Sequence, residues 1–120
     1  MLYHVNGNLP QNLSNSDKQL ITQVTSIADD LEKIISKDDY EELADYLDDV
    51  LDVEFKIGGD FRYRGVQIQL AFGGPNIYFD TISGKVEGYW GFGNSFYATV
   101  NNATCDAVDD YYENYFETCR

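Results

Sequence analysis

The chain has 120 residues, 43% of them hydrophobic and 15% aromatic, with 21 acids against eight bases and a formal net charge of −13. That length is one domain's worth, and the apolar share is enough for a core, so the composition excludes a disordered chain despite its charge. A surface this negative repels nucleic acid and anionic membranes and draws in basic surfaces, which argues against direct DNA or RNA binding.

The N-terminal MLYHVNGNLP has neither the basic start nor the apolar run of a signal peptide, and nothing approaches the length of a transmembrane helix. The expected location is therefore the cytoplasm, and the sequons at Asn12 and Asn102 are expected to be incidental. Residues 1–15 are polar and read as a flexible arm, with a short strand at Leu2–Val5. Residues 16–120 read as a single α+β domain.

A helix opens with Ser16 as its cap and Gln19 three residues on, the spacing of a capping box. Leu20, Ile21, Val24, Ile27, Ala28, Leu31, Ile34 and Ile35 then recur at the spacing of one apolar helical face. Ser36 and Asp39 suggest a second cap. Tyr40, Leu43, Ala44, Leu47 and Val50 or Leu51 continue the helical period. The sequence leaves open whether the two helices are continuous. The segment DDYEELADYLDDVLD, residues 38–52, has Asp or Glu at eight of its fifteen positions and no Lys or Arg.

After residue 52 the period becomes two. Val53, Phe55 and Ile57 alternate with Glu54 and Lys56, and GGDFRYRG (58–65) reads as a hairpin loop. Val66, Ile68, Leu70 and Phe72 make the next half-buried strand. Gly73-Gly74-Pro75-Asn76 and Ser83-Gly84 are turns around Ile77, Phe79 and Thr81. KVEGYW (85–90) and SFYATV (95–100) are two further strands, separated by GFGN. Short turns between successive strands predict an antiparallel meander of four to five strands. A last helix follows, capped by Asn101 or Asn102. Its apolar side is Cys105, Val108, Tyr112, Tyr115, Phe116 and Cys119. The predicted fold is two N-terminal helices, a meander sheet and a C-terminal helix, with helices on one sheet face.

Catalytic chemistry finds little support. The single histidine, His4, sits in the arm, against Ser-His-Asp and Cys-His sites. Cys105 and Cys119 form no CxxC pair. On one helix they lie about 20 Å apart, too far for a disulfide, so one buried and one exposed thiol are expected. Gly73-Gly74-Pro75-Asn76 lies between strands and lacks the lysine of a phosphate loop. Carboxylate pairs such as Asp109 and Glu113 can hold Mg²⁺ or Ca²⁺, but no calcium-loop spacing is present, and exposed carboxylates on a helix are usually just solvated. The expectation is a non-enzyme without metal or cofactor.

The acids themselves are the candidate site. Residues three or four apart on a helix are about 5–6 Å apart. Glu41, Glu42, Asp45, Asp48, Asp49 and Asp52 would thus form a line of anions at near-regular steps, similar to the phosphates of a nucleic-acid strand. Asp106, Asp109, Asp110 and Glu113 on the last helix would extend it. Like-charged neighbours cost about 0.2–0.5 kcal/mol each, which makes sense if the row meets a cationic groove. Solubility alone is the plainer use of such charge. Tyr78, Tyr89 and Tyr97, on the sheet's outer face beside Trp90 and Phe92, form a second contact set for a protein partner or a homodimer, unless they serve only cross-strand packing.

The stretches GGPNIYFDTISGKVEGYWG and CDAVDDYYENYFE resemble small acidic proteins of phages and other mobile elements, including anti-CRISPR and antirestriction proteins. That resemblance implies a stoichiometric inhibitor that acts as a DNA mimic in the host bacterial cell, against a basic nucleic-acid-binding nuclease. An immunity protein or antitoxin for a basic toxin would look the same electrostatically, and a carboxylate-based metal-binding protein is the third alternative.

Overall fold

The computed structural model describes residues 1–91 and 93–119. In chain order the elements are β1 (Leu2–His4), α1 (Asn15–Ser36), α2 (Tyr40–Asp48), β2 (Asp52–Ile57), β3 (Tyr63–Ala71), β4 (Asn76–Asp80), β5 (Lys85–Tyr89), β6 (Ser95–Thr99) and α3 (Asn102–Cys119). The fold is α+β, with helices packed on one face of a single sheet.

The sheet has six strands in the order β1-β6-β5-β4-β3-β2. Strands β2 to β6 form the expected antiparallel meander. The sixth strand corrects the expected count of four to five and makes the sheet mixed, because β1 pairs in parallel with β6, Tyr3 opposite Phe96. Hydrogen bonds from Ser95 N to the Met1 carbonyl (3.0 Å) and from Val5 N to the Tyr97 carbonyl (2.9 Å) close that ladder. The expected short strand at Leu2–Val5 is thus real, and its partner lies at the other end of the chain.

Local chemistry accounts for the remaining adjustments. Helix α1 is capped by Ser14, not Ser16. The Ser14 hydroxyl accepts from Asp17 N at 3.0 Å, and the Asp17 carboxylate accepts from Ser14 N at 3.1 Å, a complete capping box with aspartate in the third helical position. The chain then breaks: Asp38 has φ 53, which aspartate tolerates better than most residues. Asp39, not Ser36, caps α2 by accepting from Glu42 N at 3.1 Å. Arg64 and Gly65 belong to β3, so the β2–β3 loop is shorter than GGDFRYRG. Phe72 is outside the strand and 76% exposed. A register shift between Gln69 and Ala71 against β4 interrupts the alternation that placed it inward.

The core lies between the sheet and the helices. Leu20, Val24, Ala28, Leu31 and Ile34 of α1 meet Val66, Ile68, Ile77, Phe79, Val86 and Phe96 of the strands. Each such fully buried side chain contributes about 1.5–3 kcal/mol relative to exposure. Gly88 marks the closest approach of α1. A Cβ there would lie 2.7 Å from Leu20 Cδ1 and from Val24 Cγ2, so only glycine lets α1 settle on β5. Helix α3 is tied to α1 by Asn101, which caps it by accepting from Thr104 N at 2.8 Å and donates its own N–H to Glu32 Oε2 at 2.8 Å. Cys105 is buried and Cys119 exposed, both as free thiols.

The opposite face of the sheet has no described helix packed on it. It carries the other half of each alternation: Asp52 and Glu54 on β2, Gln67 and Gln69 on β3, Tyr78 on β4, Lys85, Glu87 and Tyr89 on β5, and Tyr97 on β6.

Candidate partner-binding surface

The two acidic helices are neighbours. The rings of Tyr40, at the start of α2, and Tyr111, on α3, lie with centroids 6.0 Å apart. Next to them a slot of about 150 Å³ is lined by Ile34, Leu43 and Ala107 and rimmed by Asp38, Asp39 and Asp110. Farther along α2, Asp48 shares a groove with Tyr111, Tyr112 and Tyr115. Burial pushes the Tyr111 hydroxyl above its usual pKa, with Tyr40 and the Asp48 carboxylate adding to the shift. Acids from both helices therefore border one seam floored by tyrosines. Neither Tyr40–Asp48 nor Asn102–Cys119 contains a Lys or Arg.

The predicted residues divide into groups. Glu41, Asp45, Asp48, Asp106, Asp110 and Glu113 are exposed. Glu42 is half-buried and paired to Lys37 at 3.2 Å. Asp49 is the C-cap of α2 and donates its N–H to the Tyr46 carbonyl at 3.3 Å. Asp52 leaves the helix altogether and faces outward on β2 opposite Gln69. The row from Glu41 to Asp52 therefore does not run as one line, since α2 has nine residues and spans about 13 Å. Asp109 has a structural partner. It is half-buried and accepts from the Tyr63 hydroxyl at 2.7 Å, fastening α3 to β3. Burial and that bond hold the Tyr63 pKa well above the ordinary tyrosine value.

The three tyrosines of the second set share the open sheet face. Tyr78 and Tyr89 stack across strands, centroids 6.0 Å apart and planes 19° from parallel. The neighbouring Tyr78 hydroxyl is the main cause that pushes the Tyr89 hydroxyl up, with burial adding to it. Tyr97 has the Lys85 ammonium 4.5 Å above its ring and His4 edge-on at 4.9 Å. Trp90 is half-buried and donates to the Ser16 carbonyl at 3.2 Å, and Phe92 is outside the described residues.

Tyr40, Tyr111 and Tyr115 were not singled out from the sequence as contact residues. The available signal was that Tyr40 and Tyr115 stand among acids, and both prove exposed, at 63% and 56%. Among the described residues no group of three or more His, Cys, Asp or Glu side chains is placed to hold a metal ion. No described helix is long and apolar enough to cross a membrane.

Comparison with family models, with curated proteins and with solved structures finds no match.

Proposed function

We propose that the protein is a stoichiometric inhibitor that presents the α2/α3 seam to the basic nucleic-acid-binding channel of a bacterial defence nuclease. The observation that carries this reading is the adjacency of two helices without a single base, whose acids border one tyrosine-lined seam. Carboxylates on these helices recur every 5–6 Å or so, a spacing a phosphate-binding channel can engage. Tyrosines between them supply rigid contact area, as they do at protein interfaces generally. The partner is a cationic protein surface, and the recognition needs no cofactor.

The test is competition. RNA-guided and restriction nucleases are titrated with the protein at low and at physiological salt, with DNA as competitor. Binding is expected to weaken steeply with salt. The combined substitution Asp45→Lys, Asp48→Lys and Asp110→Lys is expected to weaken it about 100-fold, at about 1 kcal/mol per reversed contact. Reversal of Glu87 on the open sheet face should change it less than about threefold. Binding indifferent both to salt and to the triple reversal removes the reading.

A further inference from the structure

The strand β2 is the end of the sheet: it pairs with β3 on one side and with no described strand on the other. Proteins usually blunt such an edge with charge, bulges or a covering element. Here the outward charges of Asp52, Glu54 and Lys56 do so in part and a register shift against β3 falls between Lys56 and Ile57, while the backbone of Asp52–Phe55 keeps a regular ladder. On the helix side of that edge lies a groove of about 370 Å³, lined by Leu47, Val50, Val53, Phe55, Tyr112 and Tyr115. Tyr112 is 4% exposed, and its buried hydroxyl has no hydrogen-bond partner among the described residues. On the other side of the same edge, Asp52 and Glu54 are exposed.

We infer that β2 accepts an added strand from the basic partner, and that this strand alternates apolar with Lys or Arg residues. The inference rests on the proposed binding of a cationic protein and says how part of it is held. The alternation follows from the pleat. Residues laid opposite Val53 and Phe55 face the helix side and enter the groove. Residues opposite Asp52 and Glu54 face the other way, at a cross-strand distance of about 5 Å, where opposite charge is favourable. Backbone hydrogen bonds give such a strand its affinity, and the two rows of side chains give it specificity. A second copy of this chain is the wrong occupant by charge. Pairing β2 with β2 keeps faces together and sets Asp52 and Glu54 against their own kind.

The probe is a short synthetic peptide alternating lysine and valine, added to the full chain and followed by calorimetry and by amide NMR. A control peptide of the same composition carries its lysines and valines in separate blocks. Two further peptides are N-methylated on alternate residues, one on the lysines and one on the valines. The alternating peptide is expected to bind at least about tenfold more tightly than the block peptide, and to shift the amides of Asp52–Phe55. One N-methylated peptide should bind as the parent does and the other should lose about tenfold or more, because a strand offers only alternate N–H groups to one edge. Asp52→Lys with Glu54→Lys should weaken the parent peptide about tenfold, and Tyr115→Ala should weaken it without changing its salt dependence. Equal binding of alternating and block peptides, or equal binding of both N-methylated forms, overturns the proposal. So does a dimer of this chain that Glu54→Lys strengthens. If the peptides fail while basic nucleases still bind through Asp45, Asp48 and Asp110, the strand-addition mode falls and the acidic-surface reading stands.

Discussion

The α2/α3 seam and the open face of the sheet are both acidic, but only the sheet face carries cations of its own. There Lys56 pairs with Asp80 at 3.1 Å, and Lys85 sits over Tyr97. The described residues that line the seam include no Lys or Arg, and Lys37, at the entrance to α2, is already engaged by Glu42. The same negative balance is thus neutralised locally on one surface and left bare on the other. Charge kept only for solubility would have no reason to segregate in this way.

The comparison is sharpest where one acid of α3 departs from it. Asp109 is fastened to Tyr63, whereas Asp106, one turn earlier on the same helix, is exposed. Tyr63→Phe removes the donor and leaves a half-buried carboxylate unsatisfied, at an expected cost of about 1–3 kcal/mol in chemical denaturation. Asp106→Asn should stay within about 0.5 kcal/mol of wild type. If the two substitutions cost the same, Asp109 is one more displayed acid and the distinction between anchored and bare carboxylates fails.

The same contact sets the behaviour at high pH. Burial raises the Tyr112 hydroxyl, and burial with the Asp109 bond raises that of Tyr63, above the value near 10 that each has in the unfolded chain. Between the unfolded and folded values the native state holds more protons, so stability falls as pH rises. These two hydroxyls are expected to leave stability unaffected below about pH 9 and to lower it above about pH 10 by up to about 1.4 kcal/mol per tyrosine per pH unit, less for the partly solvated Tyr63, while the Cys105 thiol, which burial also raises, starts the fall nearer pH 9. Denaturant midpoints taken across that range check this, and Tyr63→Phe should make the fall shallower. A wild-type chain whose stability is unchanged above pH 10 or so would mean that neither hydroxyl is held in its neutral form.

Much of this arrangement was legible in the sequence where the deciding interactions are local. The apolar face of α1 and the meander from β2 to β6 follow from periods of 3.6 and two, which need no partner elsewhere in the chain. The parallel pairing of β1 with β6 was not legible, because a three-residue strand signals nothing about a partner far along the chain. The inward placement of Phe72 failed at the β3 irregularity, which shifts the faces without any change in composition. For the candidate site, the acids could be read off, but their grouping could not. Whether Asp48 and Asp110 border one surface depends on how α2 and α3 pack. That Asp109 is a tether depends on Tyr63, 46 residues away.

On the sheet face, loss of a local cation should register weakly. Lys85→Ala removes the ammonium from the Tyr97 ring and is expected to destabilise by about 0.5–1 kcal/mol. Lys37→Ala, at the exposed pair with Glu42, should cost less than about 0.5 kcal/mol. A larger loss at Lys37 than at Lys85 would show that the seam relies on that flanking cation, against the contrast drawn above.

The last effect has the most informative sign. Asp45 lies four residues after Glu41 and four before Asp49, and three from Glu42 and from Asp48, all acids. Asp45→Lys turns these repulsions into attractions at about 0.2–0.5 kcal/mol for each pair, so the isolated protein should gain about 1 kcal/mol or more, read as a raised Tm. The same substitution should weaken binding to a cationic partner. Stability and binding then move in opposite directions at one residue, the pattern expected where a surface is held in an unfavourable state for something outside the molecule. If Asp45→Lys stabilises the chain and leaves its binding untouched, the bare acids of α2 have no partner to meet. If it destabilises the chain, a compensating contact that the seam does not display is at work, and the contrast between the two surfaces loses its physical basis.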